Sequence, residues 1–170
     1  MTGQPSERAP TEGFRKRVDA VQARLERHAA GPGVPGLTEP DPPSGERWDW
    51  GQVWAHLAEF VPYWCGEVRL IVRAGGTEPV PMGRVKTDPA RVAAIEADRH
   101  RPPQELMVRL TGHLDDLRAL MGSLTPEDWE RRGLHSTLGI MTMSVIFEEF
   151  LVGHLEGHAD QLDGVRSQAG

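Results

Sequence analysis

Residues 147–162, FEEFLVGHLEGHADQL, place two histidines four positions apart inside an apolar pattern of helical period. On a helical wheel Ile146, Phe147, Phe150, Leu151, Leu155 and Leu162 fill roughly half the circumference. His154, His158 and Gln161 fall inside that arc. Such a helix must turn polar side chains toward other helices, where each unpaired group costs about 1–3 kcal/mol. Side chains at i and i+4 stack on one helix face, so a single metal ion would give both imidazoles a partner. The same spacing also suits a hydrogen-bonded core pair, and spacing alone leaves both readings open. His56 lies in an earlier helical pattern, on the flank of its apolar stripe near Phe60 and Glu67. Taken alone, it reads as a core histidine.

The rest of the chain supplies helices for this stretch to pack against. Residues 1–10 read as a loose arm, followed by one domain over residues 11–165. Thr11 is placed to cap a first helix, with Phe14, Val18, Val21 and Leu25 on one face as far as about His28. Gly31-Pro32-Gly33 ends it, and residues 31–47 form a long loop, either a passive crossover or a lid. Asp49 with Gln52 forms a capping box for a second helix. Its stripe runs Val53, Leu57, Phe60, Trp64, Val68, Ile71, with Pro62 expected to kink it and Gly75-Gly76 to end it. Residues 77–86 read as another loop. Asp88-Pro89 starts a short helix, Pro102-Pro103 interrupts, and a longer helix carries Leu106, Leu110, Leu114 (or His113), Leu117, Met121 and Leu124. Thr125-Pro126-Glu127-Asp128 opens a brief turn holding Trp129, and a polar loop with His135 leads to Thr142, the expected cap of the last helix. No strand alternation of useful length is visible. The expected fold is all-α, a four-helix bundle with long connections and a proline-broken third helical region.

Charge and composition exclude several functions. A formal charge of -6 gives the whole molecule no electrostatic footprint for nucleic acid. No run approaches the roughly 18 apolar residues of a membrane span, and the first residues lack the apolar core of a signal peptide. A cytoplasmic protein is expected, and the single cysteine, Cys65, allows no intramolecular disulfide. Cys65 follows Trp64 in an apolar helix and reads as a packed thiol. Trp48, Trp50, Trp54 and Trp64 suggest an aromatic wall.

Sites that use zinc for chemistry take three protein ligands and leave one position open. Imidazole also suits nickel, iron and copper. The protease pattern H-E-x-x-H does not fit, because Glu156 is one place late and points off the histidine face. The di-iron pattern Glu-x-x-His does not fit either, since Leu151 and Leu155 stand where it needs glutamate. His28, His100, His113 and His135 read as structural or exposed, with His135 placed to line a cavity.

Three stretches together carry a family resemblance. They are WGQVWAHLAEFVPYW at residues 50–64, the helix end and tryptophan turn at residues 117–129, and the run His135, Gly139, Met141, Thr142, His154, His158, Gln161. In these the chain resembles the DinB-like (YfiT-like) superfamily of metal-binding four-helix bundles, which includes the N-terminal domain of mycothiol-dependent maleylpyruvate isomerases. The resemblance covers residues 48–162. It implies that His56, His154 and His158 bind one divalent metal, zinc or nickel.

It also implies either a thiol-dependent S-transferase or isomerase, or a metal-dependent hydrolase. A low-molecular-weight thiol such as mycothiol or bacillithiol would be the co-substrate of the first. The composition, rich in Ala, Arg, Gly and Pro, points to a GC-rich bacterial genome and so toward mycothiol. Hydrolysis would need a carboxylate near the metal, and Glu59, Glu67 and Glu149 are the candidates. A non-enzymatic binding module is the remaining alternative. The expected partner is a small-molecule substrate, with neither nucleic acid nor membrane, and a homodimer is a compatible assembly. No catalytic residue is assigned.

Overall fold

The structure is a computed structural model and describes residues 10–170. All of the expected N-terminal arm except Pro10 lies outside the described residues. The protein is mostly helical, as expected, with a small sheet that the sequence did not reveal.

Helix α1 spans Thr11–Ala30 and buries Phe14, Val18, Val21 and Leu25, the face read from the sequence. Its N-cap is Pro10 rather than Thr11, and no side chain caps it. Helix α2 spans Trp50–Ala74 behind the expected capping box of Asp49 and Gln52. Pro62 lies within this continuous helix. Gly75 closes it at φ 65, a left-handed conformation that costs glycine little. Helix α3, Pro89–Asp98, starts at the Asp88 cap with proline in the first turn. Helix α4, Pro103–Ser123, follows the double proline and buries Leu106, Leu110, Leu114, Leu117 and Met121. The short helix α5, Pro126–Trp129, has its own capping box from Thr125 and Asp128.

The last helical region departs from the sequence reading. It is two helices, α6 at Met143–Phe150 and α7 at Val152–Gln168, hinged at Leu151 with φ -124 and ψ -84. Thr142 caps α6 as expected. Gly153 makes the hinge sterically feasible, because a Cβ there would lie 2.4 Å from the Glu148 carbonyl oxygen. Arg17 of α1 spans the break, donating to Glu148 before it at 2.7 Å and to Glu156 beyond it at 2.6 Å.

Two segments read as loops form the sheet. Strand β1, Val80–Met82, pairs in parallel with β2, Arg132–His135, which pairs antiparallel with β3, Gly139–Thr142. Strands of three and four residues are too short to show alternation. Pro81 is tolerated because β1 is an edge strand.

Helices α1, α2, α4 and the α6–α7 pair enclose one apolar core. Among the described residues, no helix is long and apolar enough to cross a membrane.

Candidate metal centre

Helix α2 carries His56 on its second turn, and α7 carries His154 and His158 just beyond the hinge. Their packing brings residues about a hundred positions apart into one cluster. His56 Nε2 lies 3.1 Å from His154 Nε2, which lies 3.0 Å from His158 Nε2. One nitrogen from each ring falls within 4.8 Å of the others. His56 and His158 are buried, and His154 is partly exposed.

The outer nitrogens define what the inner ones can do. His56 Nδ1 donates to Glu59 Oε1 at 2.7 Å. Glu59 is held as an acceptor by Arg84, which reaches both its oxygens. His158 Nδ1 donates to Gln161 Oε1 at 2.7 Å. With their hydrogens on Nδ1, His56 and His158 both present lone pairs at Nε2. His154 Nε2 lies between those two and carries at most one hydrogen. At least one lone pair in the cluster is therefore left without a donor.

A divalent cation would satisfy all three nitrogens at once. Tetrahedral zinc bonds of about 2.0–2.1 Å put ligand nitrogens about 3.3 Å apart, close to the spacing of His154 Nε2 from its two neighbours. The outer hydrogen bonds fix ring tautomer and orientation in the manner of partners behind metal ligands. Burial pushes all three imidazoles down from their ordinary value, His158 to about 4 and His56 and His154 well below 6.5. They are thus neutral at physiological pH, the form that binds metal. The donor set fits a divalent ion.

The cluster faces a cavity of about 450 Å³. Trp48 forms one wall, its ring parallel to His158 at 5.9 Å and edge-on to His56 at 5.0 Å. Of the four neighbouring tryptophans only Trp48 lines this cavity. Trp50 packs on His28, and Trp64 stacks on Phe150. The connection before α2 is neither remote nor passive. Thr38 pairs with Trp48 through two hydrogen bonds, Asp41 holds Lys86 at 2.7 Å, and Thr38, Asp41 and Glu46 face the cavity.

His135 is buried outside this cavity. Its Nε2 donates to the Arg84 carbonyl, and its Nδ1 accepts from Thr137 and Leu138, so it is a satisfied structural residue. His28 pairs with Asp163. Glu156 is tied to Arg17 and turned from the histidines. Cys65 is buried, and burial pushes its thiol up to about 12. Of the candidate bases, Glu59 is committed to His56 and Arg84. Glu67 accepts from the Gly83 backbone, and only Glu149 lines the cavity. Sequence reasoning missed Arg84, Lys86 and Arg91. They lie in or beside segments read as loop and short helix, and no spacing links them to the histidines.

Comparison with known proteins agrees with this architecture. A sequence model of the DinB superfamily matches residues 14–162. No curated protein matches the sequence. Among solved structures, YfiT from Bacillus subtilis, a probable metal-dependent hydrolase with an unusual four-helix bundle topology, superposes with a TM-score of 0.71 at 18% identity. It covers 99% of this chain and 92% of its own. A mycothiol-dependent maleylpyruvate isomerase superposes with a TM-score of 0.65 at 14% identity, covering 90% of this chain and 60% of its own. A protein of uncharacterized function from Clostridium difficile 630 gives a TM-score of 0.66 at 10% identity, over 96% of this chain and 98% of its own. These likenesses are likenesses of fold.

Proposed function

The chain belongs to the DinB superfamily, and on that footing we propose a metal-dependent enzyme in which His56, His154 and His158 hold one divalent ion, zinc or nickel. Its reaction is transfer or isomerisation of a small electrophile through a low-molecular-weight thiol, such as mycothiol or bacillithiol. The observation that carries this reading is the convergence of three neutral Nε2 atoms, with too few hydrogens to satisfy one another, on a cavity of substrate size. A bound ion there would supply Lewis acidity, enough to hold a thiol as thiolate or to lower the pKa of water to about 7.

The protein's own groups prepare the site for that chemistry. Glu59 and Gln161 fix the rings of His56 and His158 so that Nε2 faces the cavity. Trp48 and Phe60 pack against the imidazoles and restrict water around them. Cys65 is buried outside the cavity, so a nucleophilic thiol has to come from a co-substrate. One observation favours hydrolysis as a second reading. Glu149 lines the cavity and is the only one of the three candidate carboxylates there, so it is the group to accept a proton from water.

Metal content of protein purified without a histidine tag tests the proposal. About one metal per chain is expected in wild type and a large loss in His158→Ala, as follows from removing one of three ligands. Wild type free of metal after growth with zinc and nickel would sink both readings. With metal present, thiol conjugation and ester hydrolysis are assayed side by side. Hydrolysis that persists without thiol and falls in Glu149→Gln selects the second.

A further inference from the structure

The cavity above the histidines is lined by a cation whose partners are incomplete. Arg91 stands in the first turn of α3, where the Asp88 cap accepts its backbone N–H. Its guanidinium lies over Trp48 at 5.3 Å from the ring centre, and Nη1 donates to the Lys86 carbonyl at 2.7 Å. Among the described residues that is its one side-chain hydrogen bond, and it forms no ion pair with a carboxylate. A guanidinium has five N–H donors in a planar fork. The neighbouring cations differ, because Lys86 is paired with Asp41 and Arg84 with Glu59.

The placement is also unusual for an unpaired charge. Arg91 is half-buried, and desolvation pulls its pKa down from the ordinary value despite the nearby charges of Glu59, Glu46 and Asp88. Of the carboxylates on the cavity wall, Asp41 is paired with Lys86 and Glu148 with Arg17, while Glu46 and Glu149 are exposed. Arg91 lines the same cavity as His56, His154 and His158, which places it on the reacting side. Trp48 connects the two, since Arg91 and His158 both lie against its ring.

We infer that Arg91 is an anion-recognition residue and that the substrate carries an oxyanion group, a carboxylate or a phosphate. That group is held at Arg91 while the rest of the molecule lies toward the histidines. The fork of a guanidinium matches either oxyanion through two parallel hydrogen bonds. Naming the bound anion a substrate rests on the metal-enzyme reading above, whereas the anion subsite stands on its own geometry.

The test titrates metal-free and metal-loaded protein with succinate, methyl phosphate and the neutral diamide succinamide, read by calorimetry. In metal-free wild type, one of the two anions binds more tightly than succinamide by about tenfold or more, the usual scale of a charge-assisted pair. Which anion binds tighter identifies the oxyanion. Arg91→Gln loses that preference with its helical circular dichroism unchanged, and Arg91→Lys, which keeps the charge without the fork, falls between. Wild type that binds all three alike, or Arg91→Gln that binds the anions as wild type does, overturns the inference. Should Arg91→Gln not fold, Arg91→Lys binding as weakly as succinamide supports the fork, and undiminished anion binding refutes it. Arg91-dependent anion binding in a protein that takes up no metal would defeat the metal reading and leave the subsite intact.

Discussion

At the level of single residues, chemistry follows from which hydrogen each side chain has left to give. His56 and His158 spend their Nδ1 hydrogens on Glu59 and Gln161, and that makes a metal the fitting partner for their Nε2 atoms. Cys65 shows the opposite outcome. Burial, with a smaller push from the nearby charge of Asp116, raises its thiol to about 12. A thiol with a raised pKa is protonated at all lower pH, so almost no thiolate exists at about pH 8, where a free cysteine is partly ionised. Native protein at that pH is therefore expected to resist a disulfide reagent, while denatured protein takes up one equivalent. Fast labelling of native protein would show that the α2–α4 interface opens and that Cys65 competes with an external thiol.

At the level of elements, the hinge between α6 and α7 sets the direction of the histidine pair. A single helix through Leu151 would rotate His154 and His158 with Phe147 and Phe150 as one rigid face. The hinge separates the two, so that α6 packs beneath Phe14 and Trp129 while α7 faces α2. Arg17 holds both sides of the break and neutralises Glu148 and Glu156. Hydrogen bonding to Arg17 lowers the Glu148 pKa, so this clamp is complete above the ordinary value of 4.5 and weakens as pH falls through the lowered one. Gly153 offers a sharper test. Its alanine variant must push Cβ against the Glu148 backbone and should cost about 1–3 kcal/mol in a denaturant titration, with weaker metal uptake. Gly164→Ala, on the same helix with nothing within 4 Å of the new Cβ, should be neutral or stabilising by up to about 1 kcal/mol. Equal effects at the two sites would mean that the hinge is not sterically fixed.

At the level of the whole molecule, the candidate centre ties α2 to α7, the second and last major helices. A ligand bound only by the folded state stabilises it by mass action, by about 2.7 kcal/mol when present at about 100 times its Kd. For a chain of this size that corresponds to a Tm rise of about 5–10 °C. Zinc or nickel added to chelator-treated wild type should give such a rise, and His56→Ala should abolish it. A Tm that ignores metal in wild type would remove the centre from the account of this fold. The loop before α2 completes the assembly, because Thr38 and Asp41 fix the wall that presents Trp48.

Much of this was legible in the chain. The faces of α1, α2 and α4, the caps at Asp49, Asp88 and Thr142, and the histidine pair inside an apolar arc all follow from local spacing. Local spacing acts over a turn or two of helix, and the sequence displays it directly. The short strands, the hinge at Leu151 and the wall built by residues 38–48 were not legible, because each depends on a partner far along the chain. His56 marks the boundary. Its periodicity put it on the flank of its own helix, and only the packing of α2 against α7 brought its Nε2 within 3.1 Å of His154. Sequence determined which side chains could share a face. Tertiary structure decided which faces met, because lone pairs and charges such as Arg91 gain their meaning from what stands across the cavity.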